Sequence, residues 1–223
     1  MSFNTNLPDD REAKENILEA GRRMYDKNYC AANDGNISVK TKDGNFWVTP
    51  SGVSKGYMTD DMLIKIDASG NVLEQHTSLH VSSEINLHLK VYKNRPDVNA
   101  VIHAHPPLST AFACARKDMK EPVVNEAVLN LGEVLCAPFA LPGTKGLADS
   151  IVPYLDGHAA VLLANHGAVT WGESMERAYF RLETLEYYAK MLILTGNGPK
   201  AHFLSDEEKQ GIISRRESYG IVL

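Results

Sequence analysis

Residues 98–105 read VNAVIHAH, and Pro106-Pro107 follow at once. Such a run predicts a β-strand that the prolines end. Successive strand residues face opposite sides, so His103 and His105 share one face. Two imidazoles side by side can chelate a single metal, and neutral imidazole suits zinc and related transition metals. Taken alone, the pair is also compatible with two satisfied polar residues at the mouth of a strand. A second apolar run over residues 160–165 ends in Asn165-His166-Gly167. A histidine at the end of a buried strand, before a glycine that permits an unusual turn, is placed to face a pocket. Three protein ligands with one position left open is the pattern of catalytic zinc.

Working outward, residues 8–28 (PDDREAKENILEAGRRMYDKN) predict a helix with Pro8 in its first turn and Ile17, Gly21, Met24 and Tyr25 on its apolar face. The period then changes to two. Ile37 and Val39 alternate with polar residues, as do Phe46 and Val48, and Asp43-Gly44 between them marks a hairpin. Leu63, Ile64 and Ile66 predict a further strand, closed by turn residues 67–71. Ser82, Ser83 and Glu84 open a helix with Ile85, Leu89 and Tyr92 on one side, stopped near Pro96. Ala168 to Trp171 are expected to continue the 160–165 strand past its glycine. A long helix follows Glu173, with Ala178, Leu182, Leu185, Ala189 and Leu192 in step, and the TGNGP segment ends it. Helices alternating with strands predict a single α/β domain over residues 1–223.

The composition is that of an ordinary globular chain of 223 residues. Its net charge of −5, with both signs interspersed, argues against a nucleic-acid or anionic-membrane partner. No apolar signal core opens the chain, no run is long enough to span a membrane, and Cys30, Cys114 and Cys136 form no CxxC pair. A cytoplasmic, reducing location is expected. Of the other histidines, His76, His80, His158 and His202 lie in polar stretches and read as solvated. His88, four residues after Glu84, reads as a structural or supporting residue.

Three segments are rich in small donors: Gly35-Asn36, Ser51-Gly52 and Ser82-Ser83. Glycine lets backbone approach an anion, and serine hydroxyls and helix-start N–H groups donate to phosphate oxygens. Each alone also reads as an ordinary turn or cap. Glu84 fits the first turn of a helix by its charge. Beside a metal it is also a candidate general base for removing a proton next to a carbonyl.

Together GNISVK (35–40), TPSGV (49–53), SSEINLH (82–88), DVNAVIHAH (97–105) and NHGAV (165–169) resemble the class II aldolase/adducin family, in its fuculose-phosphate aldolase branch. The order and separation of the motifs match over nearly the whole chain. The resemblance implies a three-layer α/β/α sandwich around a mainly antiparallel sheet, and a homotetramer with active sites between subunits. It implies that His103, His105 and His166 bind Zn2+, with Mn2+ or another divalent transition metal as the alternative. Glu84 would be catalytic and an occasional metal ligand. Gly35, Asn36, Ser51, Gly52, Ser82 and Ser83 would hold the substrate phosphate. Tyr219, in the RRESYGI tail, would assist at the aldehyde end.

The implied reaction is metal-dependent cleavage of a ketose 1-phosphate into dihydroxyacetone phosphate and an aldehyde. Residues 121–130 (EPVVNEAVLN) lack the tyrosine that fuculose-type enzymes carry there. That departure points away from L-fuculose 1-phosphate towards a related ketose such as a 5-deoxypentulose 1-phosphate. The relatives that compete are methylthioribulose-1-phosphate dehydratases, ribulose-phosphate 4-epimerases and enzymes that decarboxylate phosphorylated keto-acids. Adducin-like binding modules are the non-enzyme alternative.

Overall fold

The computed structural model describes residues 7–197 and 201–223. In chain order its elements are α1 (Asp10–Asp26), β1 (Asn36–Lys40), β2 (Phe46–Val48), β3 (Ile64–Ile66), β4 (Val72–Glu74), α2 (Ile85–Asn94), β5 (Ala100–Ala104), α3 (Pro107–Cys114), α4 (Asn125–Asn130), β6 (Leu135–Ala137), α5 (Lys145–Ser150), β7 (Ala160–Leu163), β8 (Gly167–Gly172), α6 (Met175–Asn197) and α7 (Asp206–Ile213). The strands form one sheet in the order β4-β3-β2-β1-β5-β8-β7-β6. Only the β6–β7 pair is parallel.

Strand alternation sorts the core into two faces. Ile37, Val39, Trp47, Ala100, Ile102 and Ala104 pack with Ile17 and Met24 of α1 and Ala178 and Leu182 of α6. On the same side, Ala160, Leu162 and Ala168 meet Leu185 and Ala189 of α6. The opposite residues, among them Phe46, Val48, Val101, Val161 and Val169, pack on Leu87 and Val91 of α2 and Leu147 of α5. The result is the expected α/β/α sandwich. His103 and its neighbour Asn36 across the β1–β5 ladder belong to the α2 side.

Several elements differ from expectation. Asp9 caps α1, its carboxylate accepting from Glu12 N–H at 2.9 Å, so Pro8 precedes the cap and lies outside the first turn. Tyr25 turns outward and meets Tyr57 edge-on at 5.3 Å. The buried face of α2 is Leu87, His88, Val91 and Tyr92, whereas Ile85 and Leu89 are only partly covered. Past residue 163 the chain does not run on. It reverses through Asn165 (φ 58°), and β8 pairs antiparallel with β7. Helix α6 continues through Thr195-Gly196-Asn197; Gly198 and Pro199 of the expected stop lie outside the described residues.

Arg181 of α6 is 2% exposed. It donates to Trp171 O at 2.8 Å and to Val222 O at 2.6 Å, tying the C-terminal tail to β8. Replacing it with alanine leaves two carbonyls without their donor and opens a void. Arg181→Ala is therefore expected to lower unfolding free energy by about 2–4 kcal/mol, read as an earlier midpoint in urea. An unchanged midpoint would show that the tail anchor carries no stability.

Candidate active site

Strand β5 ends with His103 fully buried and His105 partly exposed. The β7–β8 reversal sets His166 beside them. The three rings lie 4.7–4.9 Å apart, centroid to centroid, each pair edge-on. Gly35 (φ 77°) is required at the next turn, since a Cβ there would sit 2.9 Å from His103 O. Glu186 of α6 accepts from Leu108 and Ser109 N–H at 2.8 Å, which fixes the chain immediately after the pair of prolines.

Hydrogen placement decides what this cluster can hold. His103 Nδ1 lies 2.9 Å from Ala168 O, and a carbonyl only accepts, so Nδ1 carries the proton. His105 Nδ1 lies 3.3 Å from a carboxylate oxygen of Asp34, which sets the same tautomer. The two Nε2 lone pairs therefore face each other at 3.0 Å. Glu84 oxygens stand 3.2 Å from His103 Nε2 and 3.4 Å from His166 Nε2. Between His103 and His105 two electron-pair donors converge without a hydrogen between them, with Glu84 and His166 alongside, and a cation fits that gap. The imidazole set with one carboxylate suits zinc or a similar divalent metal. Burial first, then the neighbouring rings, pushes the His105 pKa down to about 4. Burial and His103 lower that of His166. Both stay neutral and available as ligands.

Glu84 stands at the head of α2 but makes no side-chain cap. It is held by a one-way chain of hydrogen bonds. Its carboxylate accepts from Asn36 Nδ2 at 3.0 Å, so Asn36 Oδ1 must face the other way, towards His88 Nε2. His88 then donates from Nε2 and accepts at Nδ1 from Ser38 Oγ at 2.7 Å. Ser38 Oγ has then spent its hydrogen, and the single Tyr92 hydroxyl hydrogen is shared between Ser38 Oγ at 2.8 Å and Ser38 O at 3.0 Å. Burial, with His103 nearby, drives the His88 pKa down to about 3, so the ring stays neutral. Burial would raise Glu84, but the positive charge that His103 and His166 carry when protonated, with the Asn36 amide, outweighs it and holds the pKa at about 2; a cation between the rings acts in the same direction. Glu84 is a carboxylate at neutral pH.

The small-donor segments converge beside this cluster. Ser51 N–H donates to His80 O at 2.8 Å, and Pro50 bridges Val81, which joins the 51–52 turn to the strand entering Ser82-Ser83. Thr49 Oγ1 accepts from Ile37 N–H at 3.1 Å, tying the same turn to β1 beside Gly35-Asn36. Ser51, Gly52 and Ser83 are exposed. The turn at Gly143 (φ 74°) reaches Ser83: a Cβ built on it would lie 3.4 Å from Ser83 Oγ. Tyr219 is elsewhere in the same chain. It is 55% exposed, in a tail held by Arg181 at the Trp171 end of β8 and by Arg216 on Val128 and Leu129 carbonyls of α4. His76, His80 and His202 are exposed, and His158 is partly so. The three cysteines are free. Asp34 and Ser38 escaped the sequence reading, and Tyr92 was read only as part of its helix's apolar side, without the role of its hydroxyl. The only signal for Asp34 was its place one residue before the Gly35-Asn36 motif.

A sheet that focuses three imidazoles and an ionised carboxylate on one point defines a metal-dependent enzyme of the lyase type. The class II aldolase and adducin N-terminal domain family matches residues 15–193, and the chain belongs to that family. It is similar to the 3-oxo-tetronate 4-phosphate decarboxylase of Escherichia coli K12, with 30% identity over 89% of this chain and 94% of that protein. The L-fuculose phosphate aldolase of Methanococcus maripaludis S2 is 32% identical over 81% of this chain and 96% of its own. A solved L-fuculose 1-phosphate aldolase has a TM-score of 0.86 at 28% identity, covering 96% of this chain and 100% of that one. No helix of the described residues is long and apolar enough to cross a membrane.

Two substitutions test the metal centre. His103→Ala is expected to abolish stoichiometric metal, measured by elemental analysis after desalting; unchanged content would remove His103 from the ligand set. A Cβ at Gly167 would fall 2.4 Å from His105 Cδ2 and 2.5 Å from Ala104 O. Gly167→Ala is therefore expected to weaken zinc binding by roughly ten- to a hundredfold in a chelator competition.

Proposed function

We propose that this enzyme cleaves the carbon–carbon bond between the carbon beside the carbonyl of a phosphorylated ketose and the next, hydroxyl-bearing carbon, releasing dihydroxyacetone phosphate and an aldehyde. The observation that carries this reading is the set of unprotonated donors around the facing Nε2 atoms of His103 and His105, with ionised Glu84 within 3.4 Å of the imidazoles. His103, His105 and His166 would hold the cation, zinc in the first instance, and Glu84 can join them when substrate is absent. When bound, the cation supplies Lewis acidity that offsets negative charge developing on the substrate's carbonyl oxygen.

The protein's own groups account for the remaining steps. Gly35, Asn36, Ser51, Gly52, Ser82 and Ser83 bind the phosphate through backbone N–H groups and hydroxyls, and Asn36 keeps one amide hydrogen beyond that given to Glu84. Cleavage leaves the bonding electron pair on the carbon next to the carbonyl. In synthesis the Glu84 carboxylate removes the proton from that carbon while the hydroxyl of Tyr219, in the tail, gives its proton to the aldehyde oxygen. Cleavage runs both transfers in reverse. That tail lies at the far end of β8 in its own chain, so Tyr219 comes from a neighbouring copy, consistent with a homotetramer.

A second reading is decarboxylation of a phosphorylated 3-oxo acid. It is favoured by the 30% identity to the decarboxylase and by Asn125 and Glu126, both exposed at the start of α4 where a tyrosine is absent. Loss of CO2 from a 3-oxo-tetronate 4-phosphate leaves the same three-carbon phosphorylated fragment. A coupled assay for dihydroxyacetone phosphate, run on ketose 1-phosphates and on 3-oxo-tetronate 4-phosphate with zinc, manganese or chelator, separates the two. Release with an aldehyde supports the aldolase, and release with CO2 supports the decarboxylase. Failure to release that product from either substrate would sink both.

Glu84→Gln is expected to retain phosphate binding but to lose at least about a hundredfold in proton exchange at the carbon beside the carbonyl, followed by NMR in heavy water. Normal exchange would remove Glu84 as the proton carrier.

A further inference from the structure

Lys55 is only 2% exposed, in the short turn Lys55–Tyr57 that follows the TPSGV segment. The turn is clamped on α1 by close contacts. A Cβ at Gly21 would fall 2.7 Å from Lys55 O, and one at Gly56 would fall 2.4 Å from the Tyr25 ring. The ammonium cannot swing out to solvent without opening this packing. It donates to Asn33 O at 2.9 Å and to Val53 O at 2.6 Å. Asn33 lies two residues before Gly35, and Val53 one residue after Gly52. One side chain thus ties together two of the three segments that make up the small-donor cradle.

The charge is the second point. Among the described residues no carboxylate forms an ion pair with Lys55. Asp34, whose charge it feels, lies instead beside His105. Burial lowers the Lys55 pKa, while Cys30 and Asp34 act to raise it. An ammonium held out of water on two neutral carbonyls is costly unless something anionic offsets it. Two carbonyls could be bridged more cheaply by a neutral donor.

We propose that Lys55 is a positioning residue for the substrate phosphate: it holds the 33–36 and 51–53 loops at their spacing, and its buried charge is the one that a dianion in the cradle neutralises. This rests on the reading of the substrate as a phosphorylated sugar or oxo acid. Lys55 does not touch the reacting carbon, so its removal weakens binding far more than turnover.

The test uses the zinc-loaded enzyme with inorganic phosphate as probe, in isothermal titration calorimetry. Lys55→Met is expected to bind phosphate roughly ten- to a hundredfold more weakly. Its KM should rise in parallel, while kcat and zinc content stay near wild type. Lys55→Arg, which keeps the charge, should recover much of the affinity. Wild-type affinity in Lys55→Met would overturn the role of Lys55 and leave the phosphorylated substrate standing. No phosphate binding by the wild type, with equal rates on phosphorylated and unphosphorylated substrates, would overturn both. Should Lys55→Met fail to fold, the 15Nζ resonance of Lys55 in the wild type decides. It shifts on phosphate addition if the proposal holds, and its failure to move refutes it.

Discussion

Two imidazole nitrogens, His103 Nε2 and His105 Nε2, stand 3.0 Å apart with their ring hydrogens already committed on the other side. Two lone pairs at that distance suit a cation between them, and the surrounding fold fixes where they point. The His103 ring is held by Ala168 O across the β5–β8 ladder. His105 is held by its own N–H on Tyr29 O at 2.8 Å and by Asp34 of the 33–36 loop. Gly35 and Gly167 admit backbone where a Cβ would meet His103 O and the His105 ring. The sandwich therefore fixes the direction of each donor, which is how a rigid scaffold raises metal affinity.

The carboxylate is positioned by a different device. Tyr92, Ser38, His88, Asn36 and Glu84 form a chain in which each donor–acceptor direction is forced by the one after it, starting from a carboxylate that can only accept. Any reversal would leave two hydrogens or two lone pairs face to face. The chain begins under α2, crosses β1 and ends at the metal centre. It makes the angle of Glu84 depend on residues buried well away from substrate. A proton carrier must keep one oxygen aimed at carbon, and a fixed amide at its other oxygen achieves that without an exposed side chain.

What could be read in advance follows from the range of the interactions involved. The HxH pair, the Asp43-Gly44 hairpin and the apolar stripe of α6 rest on spacings of two to four residues, and local geometry settles those. The β7–β8 reversal was missed because Gly167 was taken as the special residue. The left-handed turn falls instead on Asn165, and Gly167 is small because His105 packs against it. Helices α3, α4 and α5 have short, weakly patterned sequences. Their first turns are fixed by distant or local polar groups, Glu186 for α3 and Thr144 for α5. The His88 chain joins residues 36 to 92 across a strand and a helix, so no single window contains it.

The site divides into two halves with different constraints. The histidine cluster, Glu84 and the proposed cradle over Gly35, Ser51 and Ser82 would together serve a three-carbon phosphorylated enediolate. Both relatives reported above are named for substrates that yield this fragment when the bond on the far side of the carbon beside the carbonyl breaks. Whether the other product is an aldehyde or CO2 depends on what surrounds the departing group, and in the proposed reaction that surface would draw on other parts: the start of α4, the turn at Gly143 and the tail of another copy. An aldehyde leaves with its hydroxyl proton removed, so it needs a proton acceptor such as a tyrosine. A carboxylate leaves without any proton transfer, and needs only to be turned out of the carbonyl plane in a dry pocket. The absence of a tyrosine in residues 121–130 removes one candidate and makes Tyr219 the group proposed for that role. On that proposal, the difference between the two activities would rest on the tail and on an assembly that delivers it.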